Sequence, residues 1–160
     1  MAQEKISFAQ FLKAVDDGCK EFVEELHNFV TENGCKVKFE EKKSGFLASY
    51  KIGKPQRALM NFVFRKNCML TRIYGERIGS YPDFLNTLPP AMVESIGKAG
   101  MCGRLVNNTC SPKCTGYDFM INGERYQKCR YSCFLFLITD ESIPFIRQFV
   151  EHEINGRMAA

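Results

Sequence analysis

Apolar residues recur at steps of three and four from Phe8 to Val30, through Phe11, Leu12, Val15, Cys19, Phe22, Val23, Leu26 and Phe29. That spacing is the period of one helix face, so it predicts a single long amphipathic helix over 7–32. Ser7 and Gln10 form a capping-box pair ahead of it, and Asn33-Gly34 supplies the stop. The acidic residues Asp16, Asp17, Glu21, Glu24 and Glu25 fall mostly off the stripe and read as a solvated face.

The period then drops to two. Alternating runs at 35–41, 45–52, 57–64 and 68–75 are separated by short turns, which force neighbouring strands to run antiparallel. They predict a four-stranded meander with the long helix on one face. Ser80 starts a short helix to about residue 88, Pro89-Pro90 breaks it, and a second helix runs over 91–99 to Gly100. Residues 101–116 form a loop rich in Cys, Asn, Ser, Pro and Gly.

Strand-like runs at 117–121 and 124–138 flank Asn122-Gly123, the preferred pair for a type I′ hairpin turn because both positions need positive φ. Thr139-Asp140 then caps a last helix running to about 155–156. The expected fold class is α+β: an antiparallel meander plus a C-terminal Asn-Gly hairpin, packed by a long N-terminal helix and a C-terminal helix. No repeat, linker or low-complexity tract divides the chain, so residues 1–160 read as one domain.

Composition is that of an ordinary globular protein, with 45% apolar and 25% charged residues. Charge is uneven. Residues 1–32 hold 3 basic and 7 acidic groups, residues 33–80 hold 11 and 3, and residues 81–160 hold 8 and 8, giving −4, +8 and 0 for the net +4. A basic middle can mark an anion or nucleic-acid surface, but lysines also guard sheet edges. The overall pI of 8.6 lies below the value above 9 expected of a basic binding domain, which argues against nucleic acid as the partner. No window approaches the roughly 18 apolar residues of a membrane span, and the N-terminus lacks a signal-peptide core. The expected compartment is the cytoplasm, where thiols stay reduced.

The eight cysteines are the unusual feature. Cys19 lies on the apolar stripe, while Cys35 and Cys68 open strands, and all three read as small buried hydrophobes. Cys102, Cys110, Cys114, Cys129 and Cys133 cluster, with Cys-x3-Cys twice. In a reducing compartment such a cluster points to metal. Zinc takes four ligands at about 2.3 Å for sulfur, so the sulfurs must lie within roughly 4 Å of one another. Cys129 and Cys133 both lie on the 124–138 arm and face the same side, about 13 Å apart, so a regular strand cannot offer both to one ion. The expected structural zinc set is therefore Cys102, Cys110, Cys114 and Cys129, with Cys133 in the core. The spacings match no standard finger, ribbon or ferredoxin pattern.

No phosphate-binding loop, dinucleotide fingerprint, nucleophile elbow or His-Glu-x-x-His is present. The carboxylates read as members of charged faces, and His27 and His152 fall in helices away from the cysteines, so no nucleophile has a visible base. On the meander, Arg57 and Asn61 share one strand face by alternation, Arg72 and Tyr74 share a face of the next, and Tyr50 lies on the strand before. Such a set can hold a small anionic or aromatic ligand. The leading expectation is a non-enzymatic small-molecule-binding or regulatory domain with a zinc-stabilised loop. A cysteine-based redox protein or enzyme and a nucleic-acid accessory protein are the alternatives.

The stretch Gly116-Tyr-Asp-Phe-Met-Ile-Asn-Gly-Glu-Arg-Tyr-Gln-Lys-Cys-Arg-Tyr-Ser-Cys-Phe134, with Cys110 and Cys114 ahead of it, resembles small uncharacterised proteins of clostridial-type bacteria. The resemblance covers roughly the second half of the chain. It implies a cytosolic bacterial α+β domain and carries no activity to attach to residues.

Overall fold

The computed structural model describes residues 6–42, 45–53, 56–65, 68–100, 116–129 and 133–158. The fold is α+β, as the periodicities predict. Two helices open it: α1 (Phe8–Ala14) and α2 (Lys20–Glu32). Strands β1 (Lys36–Lys42), β2 (Gly45–Ile52), β3 (Arg57–Arg65) and β4 (Cys68–Ile73) form the expected antiparallel meander.

After a 3₁₀ turn at Ile78–Ser80 come the short helix α3 (Pro82–Leu85) and α4 (Pro90–Lys98). Strands β5 (Tyr117–Ile121) and β6 (Glu124–Lys128) make the Asn-Gly hairpin, with Asn122 at φ 49° and Gly123 at φ 86°. Strand β7 (Leu135–Leu137) and helix α5 (Ile143–Met158) follow.

Two elements depart from the periodic reading. The N-terminal stripe is shared by two helices rather than one. Ser7 does form the reciprocal capping box with Gln10. The helix then stops at Val15 and Asp16, whose backbones are extended (ψ 141° and 137°), and restarts after a 3₁₀ turn at Asp17–Cys19. Asp16, Asp17 and Gly18 are weak helix formers, so the break costs little. It lets α1 fold back on α2. In one straight helix Phe8 and His27 would lie about 28 Å apart at 1.5 Å per residue, yet their rings stack at 3.7 Å.

The second departure is the arm after the hairpin. Strand β6 ends at Lys128, and β7 leaves the two-stranded sheet to pair with β4, giving the order β1-β2-β3-β4-β7. The apolar run at 133–138 therefore serves the main sheet. Phe134 packs near Phe149 of α5 (4.9 Å) and Tyr117 of β5 (5.0 Å).

Register separates the two faces of the main sheet. Phe39, Ala48, Phe62, Thr71 and Phe136 form one row across it, and Val37, Tyr50, Met60 and Ile73 the next. These face α1, α2 and α5 and belong to one hydrophobic cluster that runs from Phe11 to Ile154. A fully buried Phe or Leu there contributes roughly 1.5–3 kcal/mol. The opposite face carries the rows Glu40-Leu47-Val63-Leu70-Leu137 and Lys38-Ser49-Asn61-Arg72-Leu135.

Candidate functional site

Three of the ligand-binding candidates meet on that second face. Asn61 and Arg72 are register partners on β3 and β4. With the Asn61 amide turned so that its oxygen faces both donors, it accepts from an Arg72 guanidinium nitrogen at 3.2 Å and from the Tyr74 hydroxyl at 3.3 Å. Its amide nitrogen then donates to the Met60 carbonyl at 2.8 Å. Asn61 is buried, and its cluster is polar at the centre and aromatic at one end.

Arg57, four residues back along β3, does not share that face as alternation predicts: the ladder slips between Tyr50 and Lys51, Leu59 is left between the Met60 and Ala58 pairs, and Arg57 pairs with Ile52 on the Tyr50 side. Arg57 instead faces Glu76 at 3.5 Å. There it lines a cleft of about 380 Å³ bounded by the Gly75–Ile78 turn and by Gly116, Tyr117 and Asp118 at the start of β5. The two walls are joined at the back, where the Gly75 amide donates to the Tyr117 hydroxyl at 2.9 Å. At the rim, Asp118 is held by a bidentate Arg125 at 2.6 and 2.9 Å. Those hydrogen bonds keep its carboxyl below the usual carboxylate range.

Tyr50 lies on the other side of the sheet. It pairs with Val37 and Met60, so its ring enters the helix-facing core, where it is fully buried. Its hydroxyl sits 2.8 Å from Nδ1 of His27 on α2. The His27 ring is stacked flat on Phe8. Burial holds the His27 pKa below its ordinary value, opposed by the charge of Glu24. Burial also pushes the Tyr50 hydroxyl up, with Cys35 adding to the shift.

Of the proposed metal ligands, Cys102, Cys110 and Cys114 lie outside the described residues. Cys129 is a half-buried free thiol immediately after β6. Its amide donates to the carbonyl of Gly100 at 2.8 Å, and Tyr117, next to Gly116, is the register partner of Lys128. The two described residues that flank 101–115 are therefore both held beside Cys129.

Lys128 supports the same junction, donating to the carbonyls of Gly97 (3.0 Å) and Ala99 (3.1 Å) at the end of α4. Cys133 is completely buried, as expected, but not because a strand carries it away. Its amide donates to the Cys129 carbonyl at 2.9 Å, so the two cysteines are held close together. Burial pushes the Cys133 thiol well up. Cys19 and Cys35 are core residues, and burial raises the Cys35 thiol to about 11. Among the described residues no group of three His, Cys, Asp or Glu side chains converges on a point suited to a metal.

The most elaborate polar site was not expected. Glu153 is not on a charged face but wholly buried in the packed face of α5. Its carboxylate accepts from the Arg77 amide (2.9 Å), from Nε of Arg157 (2.9 Å) and, in a very short contact, from the Tyr81 hydroxyl. Arg157 also donates to the Tyr74 carbonyl at 2.8 Å, while its Nη1 has no partner among the described residues. Burial and the Glu153 charge drive the Tyr81 hydroxyl far up. The sequence did carry a signal. Ile146, Phe149, Val150, Glu153, Ile154 and Arg157 share one helical stripe, and an acid on such a stripe with an arginine four residues on suggests a buried pair.

No protein-family model matches the chain, and no curated protein or solved structure matches it either. No helix among the described residues is long and apolar enough to cross a membrane.

Proposed function

We propose that the protein is a non-enzymatic binding domain for a small anionic or aromatic ligand, with a zinc ion holding its cysteine-rich segment. The observation that carries the binding reading is the grouping of Asn61, Arg72 and Tyr74 on one sheet face, with a separate polar cleft at Arg57. These are positioning groups: guanidinium, amide and phenol, with no nucleophile beside a base. Ligand-observed NMR with a library of aromatic and carboxylate fragments tests it. Hits whose signals are lost in Arg57→Gln or Arg72→Gln support it, and a library without hits overturns it.

The zinc reading rests on the junction at Cys129. Cys102 follows Gly100 by two residues and Cys114 precedes Gly116 by two, and two residues of chain reach at most about 7 Å. Reduced cysteines bound to zinc as thiolates suit a reducing, cytoplasmic setting. Metal analysis of the purified protein should find one zinc per chain, lost in Cys129→Ser. Metal-free protein of unchanged stability would refute it. The hydrogen bond from the Cys133 amide to the Cys129 carbonyl favours a dithiol as the second reading, which a Cys129–Cys133 disulfide formed with oxidised glutathione would support.

A further inference from the structure

We infer that the cleft between the Gly75–Ile78 turn and the start of β5 takes a small molecule by one oxyanion group, a carboxylate or a phosphate, clasped by Arg77 with Arg57 beside it. The inference rests on the small-ligand reading above and gives it a location, a ligand chemistry and a residue that the strand pattern did not single out.

Charge decides the ligand class. Two arginines, Arg57 and Arg77, and two acidic residues, Glu76 and Asp118, line the cleft. Both carboxylates are already matched: Asp118 by Arg125 in a bidentate pair, and Glu76 by Arg57 at 3.5 Å. Arg77 makes no ion pair among the described residues. One positive group is left over at the mouth of a polar cleft, and its complement is one anionic group. A planar guanidinium matches carboxylate and phosphate oxygens alike.

The Arg77 backbone is fixed before any ligand arrives. Its amide donates to the buried Glu153 carboxylate at 2.9 Å. Its carbonyl accepts from the Ser80 hydroxyl at 2.7 Å and from the Ser80 amide at 2.8 Å. Its side-chain stem lies against Gly156 of α5, where an added Cβ would meet the Arg77 Cβ at 3.0 Å. An exposed arginine held at both backbone groups and at its stem gives up less freedom on binding than an ordinary surface arginine. The neighbouring wall is equally tight, since a Cβ on Gly75 would meet the Phe134 ring at 3.0 Å. A volume of about 380 Å³ suits a small metabolite rather than a polymer.

Amide-resolved NMR on the full chain tests this, using sodium phosphate and sodium acetate as separate probes at constant ionic strength. The expected result is saturable shifts centred on residues 75–78 and 116–118. The anion that saturates at lower concentration identifies the oxyanion. Arg77→Gln should weaken that probe at least tenfold, and Gly156→Ala should weaken it by displacing the Arg77 stem. Arg147→Gln, the same charge change at an exposed site on α5, should leave it within twofold. Unchanged affinity in Arg77→Gln, with the variant's spectrum otherwise native, overturns the inference. Saturable shifts confined to the Asn61–Arg72 face would also overturn it while leaving small-ligand binding intact. No saturable shift with either anion overturns it too, and the fragment screen then decides the wider reading separately.

Discussion

Removing the Glu153 carboxylate should be the most damaging single change in the C-terminal helix. The side chain is fully buried and satisfies three donors from two parts of the chain: the Arg77 amide and the Tyr81 hydroxyl in one segment, and Nε of Arg157. Truncation to alanine leaves Arg157, itself nine-tenths buried, without its counter-charge. Breaking a buried ion pair from one side costs about 3–5 kcal/mol. For a chain of this size each kcal/mol lowers Tm by about 2–4 °C, so Glu153→Ala should melt about 6–20 °C lower. Glu153→Gln keeps the shape and part of the bonding but loses the charge, and should cost about 1.5–3 kcal/mol. The informative variant is the double replacement Glu153→Met with Arg157→Met, since apolar residues of similar volume often replace a buried pair without loss. Urea denaturation followed by circular dichroism reads these proteins together with the single variants Glu153→Met and Arg157→Met. The double variant should be more stable than Glu153→Ala. If Glu153→Ala cost less than about 1 kcal/mol, or if the two changes were simply additive, the pair would not be the buried, mutually dependent unit described.

Stability should fall as pH is lowered through the histidine range, because the folded state holds the His27 pKa below its ordinary 6.5. The unfolded chain then binds the proton more readily. The contribution of neutral His27 is complete above about 6.5 and is lost as pH falls towards the lower folded value. Urea midpoints between pH 7.5 and 5.5 should show this slope in the native protein and a flatter one in His27→Gln. Thr71→Val should stabilise by about 1 kcal/mol, because the Thr71 hydroxyl is buried on the core face without a hydrogen-bond partner among the described residues. A lower Tm in that variant would mean the hydroxyl is satisfied after all. Gly45→Ala should destabilise by at least about 1 kcal/mol, since Gly45 sits at φ +129° and a Cβ would meet the Phe64 Cβ at 2.9 Å. Gly18→Ala, where nothing lies within 4 Å, should stay within about 0.5 kcal/mol on the same melting assay.

What the sequence revealed was local. Alternation marked the meander, and the Asn122-Gly123 pair fixed the hairpin, because left-handed backbone at both turn positions needs such residues. The long N-terminal stripe was read correctly as buried and incorrectly as one rod. Periodicity reports which residues face a core, not whether the helix bends to bring Phe8 onto His27. The arm after the hairpin failed for a related reason. Pairing of Leu135–Leu137 with β4 joins segments more than sixty residues apart, and no local pattern encodes that. Asn61 and Arg72 share a face through their register, but a β-bulge at Leu59 pairs Arg57 with Ile52 and turns it off that face, which alternation along β3 could not show. Whether Tyr50 shares their face depends on register, and its pairing with Met60 rather than Asn61 sends it to the opposite side. Glu153 was legible in principle, as an acid on an apolar helical stripe, and was masked by the surrounding charged residues of the same helix.

The buried pair is better understood by where it acts than by how much stability it supplies. Arg157 holds the Tyr74 carbonyl, Glu153 holds the Arg77 amide and the Tyr81 hydroxyl, and the Tyr74 amide donates to Leu59 of β3 at 2.9 Å. Tyr117 at the start of β5 receives the Gly75 amide from the other side. The segment from Tyr74 to Tyr81 is thus gripped by α5, β3 and β5 together. It has no regular hydrogen-bond ladder to fix it before the 3₁₀ turn at Ile78–Ser80. An apolar α5 could bury the same area but would not choose one conformation for this segment, whereas directional bonds from a fixed carboxylate and guanidinium do. On this reasoning the double methionine variant keeps its fold and loses the orientation of Arg77, so stability and anion binding should part company in that protein.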